Sequence, residues 1–172
     1  MRALAAAALV LVLAACSGGE DAAPEEAPAP SETSLGKALV VDYPSDDGED
    51  ATALTLGVAG VTKAPARDLA MFTLPAGMQP YYVRVVMGNR GPADAAFPEG
   101  APWWVHAAGD VLVPATPAPS GLSTCRAPRL GATLAAGQTV RGCLLYFVPE
   151  GTAVESVDFQ PGDVTTAVRW LS

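Results

Sequence analysis

The chain has 172 residues, with 10 Lys and Arg against 18 Asp and Glu, one His, three Cys, 16 Pro and 17 Gly. That length favours one domain, and a pI near 4.4 with so few bases excludes a binder that tracks nucleic-acid phosphates. A single His rules out a multi-histidine metal centre, and the glycines lack the spacings that cradle nucleotides, so neither metal nor cofactor is expected.

Residues 1–15 carry Arg2 and then an unbroken apolar run from Ala3 to Ala15. Thirteen apolar residues fall short of the roughly 20 that a spanning helix needs, and they end in small residues, so the segment reads as a signal peptide. Leu13-Ala14-Ala15-Cys16 looks like a bacterial lipobox, in which the Cys16 thiol takes a diacylglyceryl group and becomes the first mature residue. Two or three acyl chains, at about 0.8 kcal/mol per buried methylene, hold a protein on a bilayer without spanning it. The expected partner of Cys16 is therefore the membrane. Loss of residues 1–15 leaves nine bases against 18 acids, a net charge near −9.

Residues 17–34 read SGGEDAAPEEAPAPSETS, with five acids, no base and nothing apolar larger than Ala. Such a segment has no core to bury, so residues 16–34 are expected to be a lipidated Cys followed by a disordered acidic linker. A flexible 18-residue chain spans roughly 25 Å, which lifts the domain off the lipid. Residues 35–172 are expected to form that domain.

Within it, residues 37–43, 53–63, 80–88, 103–107, 139–148, 154–159 and 164–171 are rich in Val, Thr and aromatics, with Pro, Gly, Asp and Asn clusters between them. No stretch keeps a 3.6-residue apolar period for three turns, so the fold class is all-β, an antiparallel sandwich. In the strand over 80–88, Arg84 marks the outward face and sends Tyr81, Val83, Val85 and Met87 inward. Asn89-Arg90-Gly91 then forms a turn. The strand over 139–148 differs, because from Cys143 to Val148 both of its faces are apolar. It is either central and covered on both sides, or it presents a surface.

With Cys16 assigned to lipid, Cys125 and Cys143 remain as an even pair in an exported protein, and a disulfide is the default. Their separation of 18 residues corresponds to about 3 kcal/mol in the chain-entropy model. No CxxC spacing suggests a catalytic dithiol.

The order of lipobox, acidic tether, VRVVMGNRG strand and turn, LAAGQTVRGCLLYFVPEG and a late VDFQPG resembles a family of exported bacterial lipoproteins. These carry an immunoglobulin-like domain of unknown function related to the mycobacterial immunoprotective extracellular antigen. The resemblance runs from Lys37 to the C-terminus and is densest at Gly137, Val140, Gly142, Leu145, Phe147 and Pro149-Glu150-Gly151. It implies an immunoglobulin-like sandwich on the outer side of the cell membrane and supplies no catalytic residue.

The candidate chemistry is sparse. His106 follows Trp103-Trp104-Val105, and a catalytic or metal-carrying role needs an acidic neighbour or a nucleophile beside it. Met71, Met78 and Met87 with His106 are the donor types of copper carriers, but core filling accounts for them better. Asp42, Asp46, Asp47, Glu49 and Asp50 supply hard oxygens suited to Ca2+ without the spacing of a helix-loop-helix site, and a solvated loop is preferred. Ser34-Leu35-Gly36-Lys37 matches the Ser-x-x-Lys of penicillin-recognising enzymes without its companion motifs. The aromatic doublets carry more weight. Adjacent residues of a strand face opposite sides, so one of Trp103 and Trp104, and one of Tyr81 and Tyr82, points outward. Tyr82, Tyr146 and one of the tryptophans are candidates for an outward patch that docks a protein or cell-wall partner, but long loops such as residues 109–138 folding over them are the preferred reading. The function expected is a non-enzymatic, membrane-anchored binding module, with an envelope enzyme or metal carrier centred on His106 as the rival.

Overall fold

A computed structural model describes residues 31–44, 51–70, 72–97, 101–119, 122–126, 132–161 and 167–172. The expected signal peptide, Cys16, most of the linker, Met71, and Asp46, Asp47, Glu49 and Asp50 lie outside the described residues. The strands are β1 (Ser31–Ser34), β2 (Ala38–Pro44), β3 (Ala51–Lys63), β4 (Met78–Asn89), β5 (Ala95–Ala96) and β6 (Trp103–Ala107). After them come β7 (Val111–Pro114), β8 (Thr133–Leu134), β9 (Thr139–Pro149), β10 (Val154–Phe159) and β11 (Val168–Leu171). A short 3-10 helix, Ala66–Leu69, follows β3. Among the described residues the strands form a five-stranded sheet in the order β1-β11-β10-β6-β7, a four-stranded sheet β2-β3-β4-β9, and a small β5-β8 pair. The two large sheets pack face to face as a sandwich, as the strand pattern indicates.

Alternation builds the core. Tyr81, Val83, Val85 and Met87 of β4 all lie in the cluster between the sheets, with Leu54, Leu56 and Val58 of β3 and Tyr146 and Val148 of β9. Each large side chain removed from water in this way contributes about 1.5–3 kcal/mol. In β3 the pattern slips at a bulge between Val58 and Gly60, after which Val61 rather than Gly60 faces the core. Aromatic rings form the spine: Tyr43 lies 4.9 Å from Phe97 and 5.9 Å from Phe159, and Trp103 lies 5.0 Å from Phe159 and 5.5 Å from Trp170. Their polar atoms are partnered, with Tyr43 Oη donating to the Ala96 carbonyl at 3.0 Å and Trp170 Nε1 donating to the Lys37 carbonyl at 2.9 Å. The turn expected at Asn89-Arg90-Gly91 is held by buried Asn89, whose Nδ2 donates to the carbonyls of Ala93 and Leu134 at 2.8 and 3.0 Å. Gly91 is there because a Cβ would overlap Thr52 Oγ1 and lie 2.8 Å from the Ala53 nitrogen.

Residues 31–34 fall in the segment that the sequence assigns to the linker. They form an edge strand, and it pairs in parallel with β11 where an antiparallel sandwich was expected throughout. With no apolar residue, Ser31-Glu32-Thr33-Ser34 gives no burial signal. It is held by backbone pairing and by Arg169 Nη1, 3.6 Å from Glu32 Oε1.

The strand β9 is apolar on both faces because both are covered, although it ends its sheet rather than sitting at its centre. Leu144, Tyr146 and Val148 face the main core. On the opposite face Cys143, Leu145 and Phe147 form a second cluster with Tyr82, Ala64, Leu69, Phe72, Leu74, Leu122 and Cys125. The segment after β7 closes the free edge of β9: Thr116 N–H donates to the Leu145 carbonyl at 2.7 Å, and Cys143 N–H donates to the Arg126 carbonyl at 2.8 Å. Cys125 and Cys143 are joined as expected, and both are buried. Replacing both cysteines by Ser is predicted to lower unfolding free energy by about 3 kcal/mol in denaturant titrations. The same variant gains dye-accessible apolar surface at Leu145 and Phe147, whereas an unchanged midpoint would show that the strap holds without the bond.

Candidate functional site

Coverage of the second cluster removes most of the candidate docking patch, in line with the preferred reading that loops fold over it. Tyr82 is 2% exposed and Tyr146 0%, so neither reaches a partner. Tyr82 does point away from the main core, but the segments that carry Leu69 and Leu122 fold over it. Tyr146 points into the core, because it stands directly opposite Tyr81 on β4. Burial pushes the hydroxyl pKa of Tyr146 well up, and it does the same for Tyr82, where the adjacent Asp68 carboxylate adds to the effect. Neither hydroxyl has a hydrogen-bond partner among the described residues. Trp103 is buried against Phe159 and Trp170. Of the four residues, Trp104 alone is left half-buried on an outward face.

That face belongs to the five-stranded sheet. Directly opposed residues share a face, so the register gives two rows that cross all five strands. One row runs Glu32, Arg169, Asp158, Trp104, Pro114; the next runs Ser34, Leu171, Ser156, His106, Leu112. Asp158 at the centre is fully buried, although it looks outward, because its neighbours close over it. Arg169 Nε and Nη2 donate to its carboxylate at 3.1–3.2 Å, and Ser156 Oγ donates to Oδ1 at 2.6 Å. These bonds to Asp158 first, and the charges of Asp158 and Glu32 after them, raise the Arg169 pKa further. A bidentate pair of this kind fixes both side chains and cancels their charge at the centre of the face.

Around this neutral centre the surface is apolar. Leu112 is 43% and Leu171 46% exposed, and Pro114 is exposed beside Trp104. His106 lies between Ser156 and Leu112, with Nε2 3.5 Å from Asp110 Oδ1. Asp110 occupies the left-handed region at φ 59° in the β6–β7 turn, a conformation that Asp tolerates. The histidine thus has the acidic neighbour that the rival reading asked for. The nearest hydroxyl across the strands, Ser156 Oγ, is instead buried and bonded to Asp158. Among the described residues, no group of three or more His, Cys, Asp and Glu side chains is placed to hold a metal ion. Met87 fills the core and accepts a contact from Trp103 Nε1 at 3.2 Å, while Met78 is exposed. Asp42 is exposed on β2.

The sequence pattern did not single out Glu32, Ser156, Asp158, Arg169, Leu112, Pro114 or Leu171. One signal was present: in Val154–Phe159, polar Ser156 and Asp158 alternate with Val157 and Phe159, which marks a polar outward face.

No family model matches the chain, and no curated protein matches it. Among solved structures the chain is similar to the secreted protein MPT63 of Mycobacterium tuberculosis, at 15% identity over 83% of this chain and 98% of that one, with a TM-score of 0.57. It is also similar to the yjhA protein of Bacillus subtilis, at 16% identity over 74% and 81% of the two chains and TM-score 0.48. An uncharacterized β-sandwich protein of Clostridium difficile 630 matches at 7% identity over 86% and 97%, with TM-score 0.49. The mycobacterial structure fits the resemblance drawn from the sequence, and at this identity the likeness is one of fold.

The buried polar groups make two expectations measurable. Asp158→Ala strands Arg169 and Ser156 and is expected to cost about 3 kcal/mol in a urea titration, at the lower end for a broken buried pair because Arg169 keeps some solvent contact. A loss below about 1 kcal/mol would mean that Glu32 and water replace the carboxylate. The raised tyrosine pKa values mean that the folded state holds those protons more tightly than the unfolded state, whose value is near 10.0. Their contribution is intact below about pH 10 and is lost above it. Tyrosinate absorbance from Tyr82 and Tyr146 is therefore expected to appear together with unfolding, not ahead of it.

Proposed function

We propose that the chain is a lipid-anchored binding module of the cell envelope, which holds a protein or cell-wall partner on the outer face of its five-stranded sheet and performs no reaction of its own. The observation that carries this reading is the cross-strand surface of Trp104, Pro114, Leu112, His106 and Leu171 around the neutralised Asp158–Arg169 pair. Trp and Leu on a flat sheet offer desolvable area with little loss of side-chain entropy, and aromatic residues are the usual anchors of an interface. The Cys125–Cys143 disulfide supports an oxidising, extracytoplasmic address. The apolar leader, the Cys16 lipobox and the acidic linker of the sequence support an address on the outer side of the membrane, and the mycobacterial neighbour is itself a secreted protein.

The rival reading, an envelope enzyme or metal carrier, rests on the His106–Asp110 contact. Asp110 stands fully in solvent, and no nucleophile lies within hydrogen-bond distance of His106 among the described residues. A binding role therefore accounts for more of the face.

Cross-linking on intact cells, with mass spectrometry of the captured species, separates the two. Trp104→Ser with Leu112→Ser is expected to reduce capture at least tenfold while the unfolding midpoint stays within a few degrees, and His106→Ala is expected to retain it. A capture that survives the double variant, or a function lost with His106 alone, overturns the reading. Cys16→Ser in the same cells is expected to shift the protein from the membrane fraction to the medium.

A further inference from the structure

We infer that the outer face of the four-stranded sheet holds a second site, a groove for the chain of a short anionic amphiphile whose acid group is held by Arg84 and Arg141. This site lies on the opposite sheet from the face assigned above and does not depend on that assignment.

The groove has a volume of about 260 Å³ and is lined by residues of β2, β3 and β4 and of the turn before β2, among them Lys37, Ala38, Thr55, Gly57, Ala59 and Val86. Its floor exists because β3 turns small side chains outward, Thr55, Gly57 and Ala59, while Leu54, Leu56 and Val58 go to the core. Among the described residues, the strap and the 3-10 helix cover the β9 end of this face and do not line the groove. The lining is apolar apart from Lys37 and Thr55, and Thr55 Oγ1 is shielded from solvent with no hydrogen-bond partner among the described residues.

The charge at the border is cationic. Val86 of the lining stands directly opposite Arg141 on β9, and Ala59 of the lining is the extra residue of the bulge at which β3 passes Arg84. Arg84 and Arg141 are diagonal neighbours on one face, a placement that brings like charges within about 7–8 Å. Both are exposed, and neither they nor Lys37 pairs with a carboxylate among the described residues. Among the described residues, Asp42 lies on this sheet face four positions along β2 from Ala38, diagonal to Thr55 at the end away from the arginines, and Asp68 stands beside Tyr82, where it pairs with Arg67. In a chain with 18 acids and 10 bases, three bases gathered around an uncharged groove are complementary to an anion with an apolar body. The volume is below the 300–1,000 Å³ of pockets for drug-sized ligands, which suits one short chain and not a bilayer or a second protein.

The test is calorimetric titration of the full mature protein with decanoate, beside decan-1-ol, inorganic phosphate and vesicles of phosphatidylglycerol. Decanoate is expected to bind saturably at one site, with decan-1-ol and phosphate each at least tenfold weaker. Gly57→Val raises the floor of the groove, its Cβ meeting nothing nearer than 3.5 Å, and is expected to lower decanoate affinity at least tenfold, with an unfolding midpoint measured alongside to confirm the fold. If that variant does not fold, Ala59→Leu, at the exposed bulge position, blocks the same space. Arg84→Gln with Arg141→Gln is expected to lower affinity about tenfold and flatten its salt dependence. Trp104→Ser leaves it unchanged, so that a failure here is distinct from a failure of the docking face. The inference is overturned by the absence of saturable decanoate binding, by equal affinity for decan-1-ol, by indifference to both groups of variants, or by binding of vesicles without binding of decanoate.

Discussion

The structure turns on one constraint: β4 and β9 are apolar on both faces over part of their length, so their sheet must be covered twice. The five-stranded sheet provides the inner cover and buries Tyr81, Val83, Tyr146 and Val148. Among the described residues, the outer cover has no sheet of its own. It consists of a 3-10 helix and a Pro-rich strap, elements with little burial capacity of their own, and the Cys125–Cys143 bond makes up for that weakness by tying the strap to the strand it protects. The same strap supplies Thr116 and the Arg126 carbonyl to the open edge of β9, so one segment closes both a face and an edge.

The outer cover is partial, and its limit decides what the rest of that face is free to do. Beyond Cys143 the sheet changes composition, from Leu145, Phe147 and Tyr82 to Thr55, Gly57, Ala59 and Val86. Small side chains need no second layer for stability, and they leave a depression where large ones would leave a ridge. The cations stand at its rim because a charged side chain under the strap would lose its hydration without gaining a partner. On the other sheet a buried charge is tolerated for the opposite reason: Asp158 sits at zero exposure with two charge-assisted donors from Arg169 and a hydroxyl from Ser156, so its lone pairs are satisfied.

The fold was legible where period-two alternation met chain punctuation. The inward set of β4, the separation of Trp103 from Trp104 and the turn at Asn89 follow from local rules, because each depends on residues adjacent in sequence, and the disulfide joins the two cysteines that remain when Cys16 is set aside as the expected lipidation site. Three features were not legible, each for a physical reason. The edge strand β1 is polar throughout, and only a partner 137 positions away, Arg169 against Glu32, explains its place. Tyr82 and Tyr146 look like an exposed pair when each strand is read alone. Their concealment depends on where the opposite sheet and the segments carrying Leu69 and Leu122 return in space, which alternation does not encode. The strand β7 was hidden because Val111–Pro114 stands at the head of a Pro-rich stretch, and its Pro114 is at home on an edge strand, where no ladder donor is needed.

The two open faces lie back to back across a core whose sheets are about 10 Å apart, a spacing set by interdigitated side chains. They differ in kind. One is a broad surface with aromatic and aliphatic anchors around the paired Asp158 and Arg169; the other is a narrow depression bordered by Lys37, Arg84 and Arg141. At physiological ionic strength a field of this sort is screened within about 8 Å, so the rim cations act on a ligand already at the groove and do not counter the acidic character of the whole chain at a distance. Long-range repulsion from other acidic surfaces and short-range attraction for one small anion therefore coexist in the same molecule. The rim is also fixed mechanically to the opposite sheet, because Lys37, whose residue lines the groove, accepts the Trp170 indole hydrogen through its carbonyl. Trp170 packs on Trp103, and Trp103 precedes the Trp104 that faces outward on the far side. The position of the groove wall is thus set by the same aromatic spine that sets the docking face, and both surfaces inherit their rigidity from the core between them.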